Sequence, residues 1–313
     1  MRPSSIEHPS LPKRSGQSRG ARATRDLLMG LAFISPWLVG FLALTLYPIG
    51  ASLYYSFCEY RVLSPPHWVG LRNYMELFSD TDYFLPSLYN TVFMFIELPI
   101  ATVISVGVAL LLNQKLKGMA LFRTLYYLPS VVPTVASAIL WLWLLNPQYG
   151  LVNKTLQFLH LPTTEWLQSP VWSKPAFIIL DLWMVGGGVV IYLAALQGVP
   201  THLYEAAEID GAGPWTRTWH ITIPAISPVI FFNVVLGIIG TFQYFTQTFI
   251  MTNGGPANST LFYALYLFQN AFAYFRMGYA CAMAWVLFLL TLAATLIVFR
   301  SSTRWVYYEG ETR

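Results

Sequence analysis

Long uncharged stretches, rather than a short repeating period, dominate the hydrophobic pattern of this 313-residue chain. From Leu27 to Cys58 no Asp, Glu, Lys or Arg occurs. That stretch far exceeds the roughly 7 to 15 apolar residues of a signal-peptide core, so an uncleaved first helix is expected. Apolar runs of about 18 residues or more, the length of a helix crossing a bilayer, recur along the chain. The candidate spans are 27–57, 87–113, 121–145, 176–196, 221–251 and 277–299. Between Arg217 and Arg276 the chain again carries no charged side chain. The segment TNGGPANST at 252–260, made of turn formers and short polar residues, divides that run in two. Pro36, Pro48, Pro99, Pro129 and Pro133 lie within spans, where neighbouring helices satisfy the carbonyls that proline frees. Kinks are expected there. The pattern predicts an all-α membrane protein with six transmembrane helices.

Composition supports this reading. Residues of the AVILMFWYC set make up 56% of the chain and charged residues 10%, against about 25% charged in soluble proteins. Too little charge remains to cover a water-exposed surface, which excludes a disordered chain, a coiled coil and a soluble enzyme. With only Cys58 and Cys281, a disulfide-stapled secreted domain is excluded as well.

The net charge of +4 would suit nucleic acid, but its distribution argues for a membrane instead. Arg2, Lys13, Arg14, Arg19, Arg22 and Arg25 crowd into a Ser-, Pro- and Arg-rich tail at 1–26, read as disordered. Basic residues are retained on the cytoplasmic side of a membrane. An inside N-terminus places that tail, then Lys115, Lys117 and Arg123, then Arg217, then Arg300, Arg304 and Arg313 in the cytoplasm. The opposite loops hold Arg61, Arg72, Lys154, Lys174 and Arg276. Both termini are therefore expected inside, flanking a transmembrane domain at 27–300, with 301–313 as a cytoplasmic tail. Lipid is the expected surrounding and nucleic acid is not an expected partner.

No enzyme constellation is present. The chain lacks a GxxxxGK phosphate loop, HExxH and GxSxG, and His8, His67, His160, His202 and His220 all fall outside the spans. No catalytic residue, metal site or cofactor bound by this chain is expected. The acidic residues well inside spans are Glu97 and Asp181, and an intramembrane ionisable group is a site hypothesis by default. Asp181 and Trp183 open the stretch DLWMVGGG, whose glycines would weaken the helix. The two are read as lining a cavity; the alternative is an aspartate near the outer interface, solvated or paired with Lys174. Glu97, beside Pro99, would otherwise pair within the bundle. On the fifth span Asn233, Gly237, Gly240, Tyr244 and Gln247 recur every three or four residues and share a face. That face is either a substrate path or a small-residue packing seam.

The loop between the fourth and fifth spans, about 197–224, carries more local information. Thr201, after Pro200, is expected to cap a short helix running through Asp210, and Gly211 to end it in a left-handed conformation. Pro214 suits the first turn of a second helix leading into the membrane. Ala206 and Ala207 keep one flank thin, while Glu205, Glu208 and Asp210 give an acidic side.

These residues carry a resemblance. Glu205-Ala206-Ala207, then Gly211, Ile221 and Pro224 resemble the EAA loop of the membrane subunits of ATP-binding-cassette importers, with Ile223 standing where the family has Leu. GLRNY at 70–74, Asn90-Thr91, FRTLYYLPSVVP at 122–133, NPQYGLVN at 146–153, YLAALQGVP at 192–200 and TNGGPANST are similar to segments of carbohydrate-importer permeases of the maltose and glycerol-3-phosphate type. The resemblance runs from about 27 to 299. It implies one half of a translocation pathway for a sugar, polyol or oligosaccharide, paired with a second, homologous permease. It also implies two cytosolic ATPase subunits, which consume the ATP and grip the EAA helix, and an extracytoplasmic solute-binding protein. The loop TNGGPANST either contacts that binding protein or merely joins two spans. The competing readings are a secondary transporter that uses Glu97 or Asp181 as a proton relay, and a membrane-anchored receptor or scaffold. The sequence leaves the particular sugar open.

Overall fold

The structure, a computed structural model, describes residues 19–307 except Lys115. It falls into two units, divided after Tyr54. The first is the N-terminal helix α1, Thr24–Ser56, which runs on beyond that boundary. Its apolar side chains are exposed all round, Phe33 at 87% and Leu44 at 80% among them, which suits a helix solvated by lipid. Helical backbone already begins at Arg19, inside the stretch read as a disordered tail. The long apolar span supplies a helix nucleus, and residues such as Ala21 and Arg22 propagate it at little cost. The rest of that tail, 1–18, lies outside the described residues.

The second unit opens with an antiparallel hairpin, β1 (Cys58–Arg61) and β2 (Ser64–Trp68), so the fold is mostly but not wholly α. The side chain of Asn73 holds its base by donating to the carbonyls of Ser56 at 2.8 Å and Cys58 at 2.9 Å. Helix α2 (Arg72–Ser79) leads to the long apolar helix α3 (Phe84–Leu112). Next come α4 (Met119–Val131) and α5 (Thr134–Leu144), which meet at 96°. The third stretch is thus a sharply broken pair and not a kinked rod. Val132, caught before Pro133, takes an extended conformation with ψ 129°, the geometry that a following proline enforces.

A short helix α6 (Leu151–Phe158) precedes a second bent pair, α7 (Ser173–Trp183) and α8 (Gly186–Gln197), at 44°. The break falls at Met184 and Val185, just ahead of the glycine run. Helix α9 (Thr201–Ile209) is followed by α10 (Pro214–Met251), which carries a turn at 243–245. After α11 (Tyr263–Phe268), α12 (Met277–Ser302) is the last helix among the described residues. Among the described residues the count of apolar spans is therefore four continuous helices, or up to six if each bent pair crosses once.

Three apolar clusters hold the second unit together. One joins α5, α7 and the segment around Phe262; one joins α2, α11 and α12; one joins α3, α8 and the start of α10. Several of the short motifs serve as polar fasteners between them. Asn90 on α3 donates to the carbonyls of Asn258 at 2.8 Å and Leu261 at 3.1 Å, and Thr91 accepts from the amide of Tyr263 at 2.9 Å. The loop at 252–260 is so fixed to α3. Asn153 accepts from the Trp166 indole at 2.9 Å and donates to the Thr164 carbonyl at 2.9 Å. Arg123 on α4 donates through Nη2 to the Leu112 carbonyl at 2.8 Å, capping the end of α3 with charge of the favourable sign. Past α12 the described chain folds back: Val306 is 4% exposed, and the Tyr307 amide donates to the Ser227 hydroxyl at 2.8 Å. The start of the segment read as a cytoplasmic tail, 301–313, thus packs on the bundle, and 308–313 lie outside the described residues.

Gly186 marks the crossing of α8 over α4, because a Cβ there would run into the backbone carbonyl of Tyr126. Gly186→Val should cost about 1–3 kcal/mol, the range for overpacking. The readout is a lowered thermal midpoint of the detergent-purified protein; an unchanged midpoint would remove Gly186 from this crossing.

Candidate functional site

Three helices lose their regular geometry at one level of the second unit. In α3 a 3-10 turn at Met94–Ile96 immediately precedes Glu97. In the α7/α8 pair Asp181 sits in the last turn before the break. In α10 the turn at 243–245 contains Tyr244. Between these irregularities lies a cavity of about 400 Å³ whose wall includes Glu97, Asp181, Asn233, Thr241 and Tyr244. The two intramembrane carboxylates, more than eighty residues apart in the chain, thus share one chamber.

Within it Asp181 Oδ1 accepts a hydrogen bond from Gln247 Nε2 at 3.4 Å. Asp181 Oδ2 and the Tyr244 hydroxyl are both shielded from solvent, and neither makes a hydrogen bond. Glu97 and Tyr244 both stand beside the Asp181 carboxyl, so the three form one polar group on the cavity wall. Asn233 uses its amide nitrogen on its own helix, donating to the Val229 carbonyl at 3.0 Å. Lys174 does not pair with Asp181. Its ammonium donates to Asn90 Oδ1 at 2.9 Å and lies over the rings of Tyr89 and Phe93.

Two expectations change. Trp183 does not line the cavity; its ring packs edge-on against Trp141, 6.0 Å between centroids, within the apolar cluster around Phe177. Residues two apart on a helix point to different sides, so Asp181 and Trp183 could not both face one chamber. Gln247 stands beyond the turn in α10 and reaches the chamber only through Asp181. The two readings of the fifth-span face also divide between its glycines. At Gly237 an added Cβ would come within 2.6 Å of Leu98, so this glycine permits close packing of α3, whereas at Gly240 it would meet nothing.

A second cavity, of about 630 Å³, lies near the loop at 252–260 and is walled in part by Asp80, Tyr83, Asn253 and Tyr266. Asp80 Oδ2 accepts from the Tyr266 hydroxyl at 2.7 Å. Burial first, and then this hydrogen bond, raise the Tyr266 hydroxyl above the ordinary tyrosine range. Nothing in the sequence pattern pointed to this group, because Asp80 and Tyr266 lie far apart in the chain.

At the other sequence-marked locus, Thr201 is the first residue of α9 and not its cap, a position held by Pro200 without a side-chain bond, and the helix ends in a left-handed cap. Gly211 has φ +79°, its amide donates to the Glu208 carbonyl at 3.1 Å, and the Ala212 amide donates to the Ala207 carbonyl at 2.8 Å. That pair of bonds is the Schellman arrangement. Pro214 starts α10, as its fixed φ favours. The arms are joined twice: Tyr204 and Thr222 share a hydrogen bond at 2.9 Å, and Arg217 pairs with Glu208 at 3.5 Å. Ile221 and Ile223 pack against the α3/α8 cluster, and Pro224 lies in the first turn of the apolar part of α10. Glu205, Ala206 and Asp210 are exposed, as are Ile209 at 88% and Trp215 at 76%. Among the described residues the Glu205 side chain makes no hydrogen bond or ion pair.

Residues 72–306 match the family described as binding-protein-dependent transport system inner membrane component. The chain belongs to that family. It is 41% identical over 300 residues to the probable ABC transporter permease protein YesP of Bacillus subtilis, covering 94% of this chain and 96% of that one. It is 33% identical over 322 residues to the diacetylchitobiose uptake system permease protein NgcF of Streptomyces coelicolor, covering 97% and 91%. The fold is similar to a chain of a bacterial alginate ABC transporter crystallised with an alginate-bound periplasmic protein, with TM-score 0.80 and 24% identity over 91% of this chain and 97% of that one. Membership argues against both the self-contained secondary transporter and the receptor, and makes the chain a multi-pass membrane permease.

If the cavity is the pathway of such a permease, its unsatisfied carboxylate should matter for transport. Asp181→Ala in the assembled transporter should lower uptake about tenfold or more, the loss of a hydrogen bond to a charged group of roughly 1.5 to 3 kcal/mol. Asp181→Asn, which keeps an acceptor, should be milder. Wild-type uptake by Asp181→Ala at all cargo concentrations would make the carboxylate structural.

Proposed function

We propose that this chain is one half of the translocation pathway of an ATP-driven importer of saccharides and that it is driven through the loop at 197–224. The geometry of that loop carries the proposal. A nine-residue helix, α9, is capped by Gly211 and is clamped by Tyr204 to Thr222 and by Glu208 to Arg217 onto the base of α10. Because α10 continues without a chain break from Pro214 into the wall of the cavity, a push on α9 is delivered as a rigid-body movement to Asn233 and Tyr244. The exposed Glu205, Ile209 and Trp215 form the face on which a driving subunit would seat.

Two cytosolic ATPase subunits supply the drive and consume the ATP; a second, homologous permease closes the other side of the pathway; an extracytoplasmic solute-binding protein delivers the cargo. This chain binds no nucleotide of its own. Six spans, with each bent pair crossing once, bring both termini to the cytoplasm together with α9. The saccharide class is supported by relatives named for diacetylchitobiose, trehalose and maltose, and lactose transport, and by the polar and aromatic wall of the cavity.

Gly211→Asp should uncouple the transporter. An L-residue forced into the left-handed region costs about 1–2 kcal/mol, and an anion at a helix C-terminus opposes the helix dipole. The expected result is an inserted, assembled complex that hydrolyses ATP while uptake falls at least tenfold; normal uptake would refute the lever. Epitopes at both termini should react only from the cytosolic side and one at Asn258 only from outside. Termini found on opposite faces would overturn the span count.

A further inference from the structure

The cavity of about 630 Å³ beside the loop at 252–260 has no part in the pathway described above. Helix α10 sets its place relative to the other two loci. That helix starts at the loop 197–224, walls the chamber through Asn233 and Tyr244, and ends at Met251, two residues before Asn253 in the wall of the second cavity. With the loop at 252–260 outside, a solute meets this cavity before it meets the chamber.

The wall divides into a scaffold and a free surface. Asp80 belongs to the scaffold: its Oδ1 accepts from the amides of Asp82 at 3.2 Å and Tyr83 at 3.0 Å, and its Oδ2 from the hydroxyls of Tyr266 at 2.7 Å and Tyr279 at 3.5 Å. One carboxylate so ties the chain ahead of α3 to α11 and α12. Arg276 is committed as well, paired with Glu76 and lying over the Tyr279 ring at 4.4 Å. The free surface is formed by the Asp82 carboxyl, the rings of Tyr83 and Tyr274, and the amide ends of Asn253 and Gln269. Gln269 Nε2 donates to Asn253 Oδ1 at 3.5 Å, which leaves the Asn253 amide nitrogen and the Gln269 carbonyl oxygen for a ligand. Tyr83 gives one ring face to Tyr266, 6.0 Å away and tilted by 20°, and keeps the other; it is 49% exposed and Tyr274 59%. Among the described residues of this wall only Leu261 is aliphatic.

The backbone is bent at some cost to present these groups. Asn253, Asn258 and Phe275 take the left-handed conformation, with φ +47°, +58° and +56°. For a residue as bulky as Phe that conformation is an outlier. Phe275 is held there by its neighbours, since the Tyr274 and Arg276 amides donate to the carbonyls of Gln269 and Asn270, both at 2.8 Å. The reversal brings both Tyr274 and Arg276 into the cavity wall. Strain persists where the surrounding structure over-determines it, and it collects at binding sites.

We propose that this cavity is a second saccharide site, an entry site in which a sugar ring packs on Tyr83 and Tyr274 while its hydroxyls bond to Asp82, Asn253 and Gln269. The inference rests on the saccharide-pathway reading and adds a site to it. A sugar ring carries C–H groups on its faces and hydroxyls at its edge, and each hydroxyl both donates and accepts. A carboxylate takes the donors, a primary amide meets both, and the negative face of a tyrosine ring suits the C–H groups. The volume falls within the roughly 300 to 1,000 Å³ of small-molecule sites.

Photoaffinity mapping tests the assignment. The assembled transporter in lipid nanodiscs, without binding protein, would be irradiated with diazirine-bearing glycosides of diacetylchitobiose, maltose and lactose, saccharides that appear in the names of relatives. Labelled peptides are then identified by mass spectrometry. At least one glycoside should label 80–83 or 269–279, and the unmodified saccharide should compete that label away. Tyr274→Leu with Asn253→Ala should weaken the competed labelling about tenfold or more, whereas Asp181→Asn should leave it unchanged. Asp82→Ala, at an exposed position, should act in the same direction and serves where the double variant does not assemble. Competed labelling confined to the chamber segments 97–105 and 233–241 would overturn the entry site and leave the pathway reading intact. No competed labelling, or outer labelling that survives these substitutions, would overturn it too. Competition by argininamide or lysinamide as strong as by the sugar would make the cavity a socket for a partner's basic side chain and overturn the saccharide assignment. Outer labelling as expected in a transporter that takes up none of the three saccharides would instead remove the pathway reading, and the entry role with it.

Discussion

The hydrocarbon interior of a bilayer offers no partner to a backbone amide or carbonyl, so every interruption of a helix must be covered by protein or open onto a polar cavity. This constraint organises the second unit. The break between α7 and α8 and the turn in α10 are packed against other helices by the clusters around Phe177 and Tyr192, whereas the sharp break between α4 and α5 is exposed, with Val131 at 60%. Two of them border the same cavity, together with the 3-10 turn ahead of Glu97. The chamber exists because regular helices are interrupted side by side, and the interruptions can persist because the chamber supplies somewhere for their polar groups to face.

A second consequence concerns rigidity. A bundle of broken helices would be soft unless the pieces were fastened, and the fasteners are polar side chains placed at the ends of elements. Asn90 and Thr91 tie α3 to the loop at 252–260, Asn153 closes the loop after α6, and Arg123 ties α4 to the end of α3. Each satisfies a carbonyl or amide that the fold would otherwise leave unpaired, which is where a buried hydrogen bond matters most. They leave the cavity wall itself comparatively free of such bonds, with Asp181 Oδ2 and the Tyr244 hydroxyl unsatisfied. The contrast separates scaffold from site.

What the sequence made legible follows from how local each determinant is. The helix at α9, its left-handed end at Gly211 and the restart at Pro214 depend on residues within a few positions of one another, and were readable as such. Pro133 announced an interruption, but the 96° angle depends on what α4 and α5 pack against, which no local signal carries. The hairpin at 58–68 was hidden because its strands are short, Pro-containing and anchored by Asn73 and Gly278 from other elements. The polar residues of the fifth span were extrapolated with one helical period, which holds from Asn233 to Gly240 and fails past the turn at 243–245. Asp181 was found by its cost in a membrane, while its meeting with Glu97 is a matter of tertiary packing.

The two sequence-marked loci are finally connected by one element. Helix α10 begins at the loop with Pro214, packs Ile221 and Ile223 against the α3/α8 cluster, and presents Asn233 and Tyr244 to the cavity. Its π-helical stretch at Thr218–Thr222 is where Thr222 receives Tyr204, so the clamp from α9 grips the helix at its least regular point. The residues between this stretch and the turn at 243–245, Asn233 among them, are the ones that face Glu97 and Asp181 in the cavity wall.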